Sequence, residues 1–232
     1  MKALTVLPVL GMGEVRAGDV LAELVAARAA LAEGDVVVVT QKVVSKAEGR
    51  MVGLDPSDLA ARAALVDAES VRVLRRRGEL AIAETRHGFV CANAGVDLSN
   101  VPLGQAALLP VDPDRSARRI RDGLRARAGV EVAVVVSDSF GRPWRRGVTD
   151  VAIGCAGVAG VVDLRGAADS TGRTLTVTEV AVADELAAAA ELVMGKSAGV
   201  PAAVVRGVDP EWLREGSVKA EIVRPPQEDL FR

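Results

Sequence analysis

Four consecutive valines, Val36–Val39, stand between Asp35 and Thr40. A short apolar run without alternation, bounded by polar residues, predicts a strand buried on both faces. Val130–Val136 predicts another such strand and Ala202–Val205 a last one, while residues 3–9 form an opening strand that runs into Leu10-Gly11-Met12-Gly13. Val20, Leu21, Leu24, Val25 and Leu31 share one helical face, with Asp19 as its cap and Gly34 as its stop. Asp55-Pro56 opens a second helix in which Leu59, Val66 and Val73 recur at helical spacing, leaving Arg75-Arg76-Arg77 as a solvated helix end. Leu80–Ala83 and Phe89–Ala92 read as paired strands. A third helix spans Ser116–Ala128 between Asp114 and Gly129, residues 174–182 form a strand, and the Ala-rich stretch Asp184–Met194 is a helix closed by Gly195. The long loops at 93–115 and 137–173 are the places to look for function. Strands and helices mix irregularly, which predicts an α+β fold, mixed sheets with flanking helices, rather than a doubly wound parallel sheet. No repeat or low-complexity linker divides the 232 residues, so residues 1–232 read as one domain.

Composition narrows the chemistry. Half the residues are hydrophobic, yet aromatics make up only 2% and Tyr is absent, so the core must be built from Val, Leu, Ile and Ala. A net charge of −2 and no basic stripe interleaved with aromatics argue against nucleic acid as partner. No apolar run reaches membrane-spanning length and no signal-like start is present, which predicts a cytoplasmic protein without a membrane partner. Cys91 and Cys155 both sit in apolar surroundings and read as small buried hydrophobes. His87 is the single histidine; between Arg86 and Gly88 it reads as a surface turn residue. A catalytic triad or histidine zinc site has no raw material here. What remains is carboxylate, lysine, arginine and backbone chemistry.

Gly195-Lys196-Ser197 resembles the end of a P-loop, but Ala190 stands where the first glycine belongs and the triplet ends a helix instead of opening one. Gly11-Met12-Gly13 is either a turn or a backbone cradle for phosphate. Asp138-Ser139 follows a buried strand, where a carboxylate beside a hydroxyl suits a magnesium-like ion. Arg142, Arg145 and Arg146 lie in the glycine-bounded stretch that follows, a pattern suited to an anionic substrate. Asp97 and Asn100 serve either as metal and hydrogen-bonding groups or as an Asx-turn. Lys46, after the valine strand, is either a surface lysine or a phosphate ligand.

Together these segments resemble the coenzyme F-420-0:L-glutamate ligase family, the γ-glutamyl ligases of deazaflavin biosynthesis. The resemblance is carried by ordered blocks over nearly the whole chain: Leu7-Pro8-Val9-Leu10-Gly11, Gly34–Val39 leading to Ser45–Arg50, Asn93–Asp97 with Ser99-Asn100, Leu109–Asp114, Ser137–Arg142, Val182–Glu185 and Val204–Gly207. It implies a GTP-dependent ligase that adds L-glutamate through γ-linkages to the deazaflavin precursor via an acyl phosphate, releasing GDP and phosphate. It implies Mg²⁺ or Mn²⁺, with K⁺ as a further ion, and an intertwined homodimer of two-subdomain protomers. Carried over by position, Asp97 and Asp138 match metal-binding aspartates, with Ser139 where the family usually has Thr. Leu10, Gly11, Met12, Gly13, Thr40, Gln41, Lys46 and Asn100 match nucleotide contacts. Arg142 joins Asp97 and Asp138 as a catalytic candidate. Some members continue into a nitroreductase-like domain, which is not expected here because the chain stops near Leu230-Phe231. Lys196 stands where some relatives carry an acid, and is expected to contact phosphate in place of one cation. The rival expectations are a non-catalytic nucleotide- or deazaflavin-binding protein, which would release no GDP, and a ligase for another acceptor or amino acid.

Overall fold

The computed structural model describes residues 3–230. Phe231 lies outside that range, so the expected domain end near Leu230-Phe231 is described only as far as Leu230. Along the chain, β1 (Thr5–Pro8) precedes the short helix α1 (Leu21–Ala26), and β2 (Asp35–Thr40) runs straight into α2 (Gln41–Ala47). A second group follows: β3 (Met51–Gly53), α3 (Leu59–Glu69), β4 (Ser70–Arg77), β5 (Leu80–Thr85), β6 (Val90–Ala92) and β7 (Gln105–Ala107). Then come α4 (Pro113–Ala128) and the long hairpin of β8 (Val132–Arg142) and β9 (Arg145–Ala156). The chain continues through β10 (Val162–Asp163), β11 (Glu179–Val180), α5 (Val182–Met194), β12 (Ala202–Arg206) and α6 (Val218–Glu221).

Among the described residues the main sheet has five strands in the order β1-β12-β2-β8-β9. Only β2 and β8 run parallel; the other neighbours are antiparallel, so the sheet is mixed and the fold is α+β. Pro8 is tolerated because β1 is an edge strand, where a missing N–H is least costly. Successive side chains of β2 point to opposite faces, and Val36–Val39 are all fully buried, so both faces are covered. α4 packs on β8 and β9, α5 on β9, β12 and β1, and α1 on α4. The core is aliphatic as composition requires, with Leu109, Leu124, Ile153 and Met194 its largest fully buried apolar side chains. Trp212 packs at its margin, whereas Trp144 is 86% exposed at the tip of the β8–β9 hairpin, where its φ of 57° is left-handed. A smaller cluster around Leu54, Val66, Ala81, Val96 and Leu108 lies under α3 and the antiparallel sheet β4-β5-β6.

Several expectations shift. The first helix ends at Ala26 instead of running to Gly34: Arg28 folds onto the carbonyls of Leu24 and Gly11, and Asp35 accepts from Ala32 N, which organises 27–34 as turns. Asp19 does not cap it; its carboxylate accepts from Arg16 N. α3 is capped by Asp58, through Ala61 N at 2.8 Å, and Asp55 closes its own turn on Ser57. Val73 and Arg75-Arg76-Arg77 belong to strand β4, not to a helix end, because β5 supplies ladder partners from Leu80 to Thr85. α4 is capped by Asp112 rather than Asp114, and begins at Pro113. Of residues 174–182 only Glu179–Val180 are strand, and much of 137–173 is hairpin instead of loop. α2 was not foreseen in the sequence.

Candidate active site

The parallel register sets Thr40 of β2 beside Ser137 of β8. Past that point β2 turns into α2, while β8 continues through Asp138 and Ser139 toward the hairpin tip. The divergence opens a cleft of about 970 Å³, walled by residues 13–15, α2, the turn after Asp97, β9 and the loop after α5. Such a crevice beyond the carboxyl ends of adjacent parallel strands is where α/β sheets bind ligands.

Three lysines enter it. Lys42 and Lys46 lie one turn apart on α2 and so share a face. Lys42 Nζ reaches Asp97 Oδ2 at 2.7 Å and Ser99 Oγ at 2.8 Å. Lys46 Nζ pairs with Glu14 and donates to the Asn100 carbonyl at 3.2 Å. Lys196 Nζ pairs with Asp150 Oδ1 at 2.7 Å and Glu191 Oε1 at 2.8 Å, and also meets the Ser139 hydroxyl. Burial works to lower the Lys196 pKa, but Asp150 and Glu191 outweigh it and hold the ammonium more firmly protonated than usual.

The acids respond to the same neighbours. Burial works to raise Asp97, but Lys42 and the Ser99 N–H outweigh it and hold the carboxyl below its usual range. Ser99 N donates to Asp97 Oδ1 at 2.7 Å, so Asp97 forms an Asx-turn and faces the cleft at once. Asp138 is pushed up to about 7, chiefly by burial and further by Asp97 and Asp150, against the Ser139 N–H. Asp150 is buried and accepts from Ser137 Oγ at 3.0 Å and Ser139 Oγ at 2.7 Å across the β8–β9 ladder.

A family model described as F420-0:Gamma-glutamyl ligase matches residues 10–207, which include every segment of the cleft. The chain belongs to this family. The Coenzyme F420:L-glutamate ligase of Methanopyrus kandleri is 49% identical, with 94% of each chain covered. Its namesake in Methanothermobacter thermautotrophicus is 45% identical over 99% of each. The one in Archaeoglobus fulgidus is 41% identical, over 98% of this chain and 96% of the relative.

Within this γ-glutamyl ligase fold, Gly13, Thr40, Gln41, Lys46, Asp97, Asn100, Asp138, Ser139 and Lys196 all line the cleft. Gln41 does so with its amide engaged elsewhere, on Ser45 Oγ and the Leu108 carbonyl. Leu10, Gly11 and Met12 do not line it: Met12 is core, Leu10 is exposed and the Gly11 carbonyl accepts from Arg28. Arg142 stands near the hairpin tip and donates to the Arg146 carbonyl at 3.2 Å, outside the cleft lining. Asp138 and Ser139 are neighbours in a strand and face opposite ways, so they do not converge on one point. His87 is half-buried, bonded to the Pro110 carbonyl and not among the lining residues. The thiols of Cys91 and Cys155 are pushed up to about 12 by burial and stay protonated, as small buried hydrophobes do.

Sequence reading missed Lys42, Glu14, Asp150 and Glu191. Lys42 and Lys46 would have emerged together from a helix at 41–47, since four-residue spacing puts both on one face. Asp150 precedes the apolar run Val151-Ala152-Ile153, and a lone acid entering a buried strand signals a paired charge. Gly195-Lys196-Ser197 is no P-loop, as expected, for Gly195 closes α5; its lysine reaches the cleft all the same.

Proposed function

We propose that this chain is a GTP-dependent coenzyme F420:L-glutamate ligase, adding L-glutamate through γ-linkages to the carboxylate end of the deazaflavin precursor F-420-0. The observation that carries the reading is the meeting of enclosed carboxylates and three lysines in one cleft where β2 and β8 end together. Joining a carboxylate to an amine in water requires activation. A carboxylate oxygen attacks the γ-phosphorus of GTP, the bond to GDP breaks, and an acyl phosphate forms. The glutamate amine then attacks the acyl carbon; phosphate leaves with its electron pair and the amine gives up a proton. Both partners of the first step are anions, so positive charge must be held between them. Lys46, whose side chain is nearly buried, presents a point charge toward nucleotide phosphate, and Lys196 does so from the loop after α5. No histidine or cysteine nucleophile is needed.

The residues present fit a divalent cation. Asp97 and Asp138 offer hard oxygens, and Asp138 is an enclosed acid raised chiefly by burial and further by its acidic neighbours, which a cation would favour in ionised form. Among the described residues no three acidic, thiol or imidazole side chains gather to hold a metal alone. That suits Mg²⁺ or Mn²⁺, which bind through one or two carboxylates and take substrate phosphate oxygens as well. Asp97 and Asp138 would hold the ion, which when bound supplies charge neutralisation at the phosphates. K⁺ belongs to the reading as a further ion, and so does a cytoplasmic homodimer of intertwined protomers. Among the described residues no helix is long and apolar enough to cross a membrane.

The test is a mass spectrum of the deazaflavin after incubation with GTP, Mg²⁺ and glutamate. Products heavier by whole glutamyl residues, with matching GDP release, are expected. Unchanged precursor with no GDP would overturn the reading, and tight GTP binding without turnover would mark a binding protein instead. Light scattering that gave the mass of one chain would remove the homodimer.

A further inference from the structure

The opposite facing of Asp138 and Ser139 divides the cleft floor into two acidic halves. One holds Asp97 with Asp138, Asp97 being paired with Lys42 at 2.7 Å, and the other holds Asp150 with Glu191 and the Ser139 hydroxyl. In the second half Asp150, Glu191 and Ser139 all meet one ammonium. Asp150, its side chain only 2% exposed, has Oδ2 on Ser137, and its Oδ1 takes both Ser139 and Lys196. Lys196 is the one ion-pair partner of Asp150 among the described residues. Its Nζ also meets Glu191 and Ser139, so three oxygens surround it as they would a small hard cation. The ammonium is anchored from its own backbone too: the Lys196 carbonyl accepts from Asn100 Nδ2 at 3.2 Å, tying this loop to the turn that carries Asp97.

We infer that Lys196 is a tethered cation occupying the Asp150 half of the floor, which closes that half to divalent metal. Asp150 and Glu191 together carry two negative charges, and Lys196 leaves a single one to attract any ion that enters. A divalent ion there would sit within a few ångströms of the ammonium and be repelled by it. A lysine on the chain is present at full occupancy whatever the metal concentration, and it faces the same cleft into which Lys46 points. The inference rests on the ligase reading for its use against phosphate, but the occupancy of the site can be counted without turnover.

Manganese titrated into the nucleotide-free protein, with free Mn²⁺ read by electron paramagnetic resonance, tests it. Lys196→Met removes the charge and keeps the length, and should bind one more Mn²⁺ per chain than the parent. Adding Asp150→Asn to that variant should abolish the extra ion, and Lys196→Arg should keep the parent count. Asp150→Asn in the parent background should leave the count unchanged, because that half accepts no divalent ion while Lys196 is present. Equal counts for Lys196→Met and the parent, or a count that falls in Asp150→Asn alone, would overturn the inference. A chain that makes no glutamylated product yet shows these counts would sink the ligase reading and leave the tethered cation standing.

Discussion

Burial holds Asp138 near 7 in the folded protein, whereas in an unfolded chain it titrates near 3.8. The folded state therefore keeps its proton where the unfolded state has lost it. Stability is full below the unfolded value, declines as pH rises between the two, and stays lowered above about 7. Asp138→Asn removes this penalty, so in EDTA its melting temperature should match the parent near pH 4 and exceed it at pH 8, by stability on the order of 4 kcal/mol. A constant difference across that range would show that the Asp138 carboxyl is solvated. Lys46 bears on ligand instead of fold. Its ammonium has a side-chain partner in Glu14 and a backbone one at Asn100, so Lys46→Ala should weaken GTP roughly tenfold or more by calorimetry while precursor binding changes less. Equal GTP affinity would leave Lys46 as a structural partner of Glu14 and Asn100 alone. At this scale the sequence revealed the residues that end buried strands, Asp138 above all, because an apolar run stops visibly at them. It hid Asp150, whose partner Lys196 lies 46 positions on, since nothing local couples residues that only tertiary folding brings together.

Elements were legible where one period dominated. α4, α5 and the strands at 80 and 90 emerged because burial repeats at a fixed spacing along them, and the valine strand because its apolar run is unbroken and bounded. β4 read as helix because Leu59, Val66 and Val73 keep a seven-residue spacing across a change of element at Ser70. α2 escaped notice because it follows β2 with no turn residue between them, so no break marks the switch. The packing of elements has its own weak points. Gly154 of β9 lies under the first turn of α4, and a Cβ there would strike the backbone of Pro113, which cannot swing aside as a side chain would. Gly154→Ala should displace that turn and lower the urea midpoint, by stability of about 2 kcal/mol. An unchanged midpoint would mean that α4 can slide on β9 freely.

At the level of the whole molecule, Asp114 joins three distant stretches. Its carboxylate accepts from Cys155 N at 2.9 Å, Ser217 Oγ at 2.7 Å, Val218 N at 3.0 Å and Lys219 N at 3.2 Å, and so staples the C-terminal segment to β9. Asp114→Ala strands these donors at a cost of about 3 kcal/mol. It should also make the chain around Lys219 and Arg224 susceptible to brief trypsin treatment, with Asp114→Asn in between because it keeps one acceptor oxygen. Resistance equal to the parent would show the segment held by its apolar contacts alone. The α+β class was legible from the irregular order of periods, but the staple was not, for it is built from a residue that sequence logic assigns to a helix cap. The scarcity of aromatic rings has an optical consequence. With no tyrosine, ultraviolet emission comes from two indoles in unlike places: Trp212 against the core and Trp144 out on the hairpin. Iodide can reach the second far more readily than the first, so the unmodified protein splits its own fluorescence into a protected blue component and a quenchable red one, and the red one reports on whatever settles beside the hairpin.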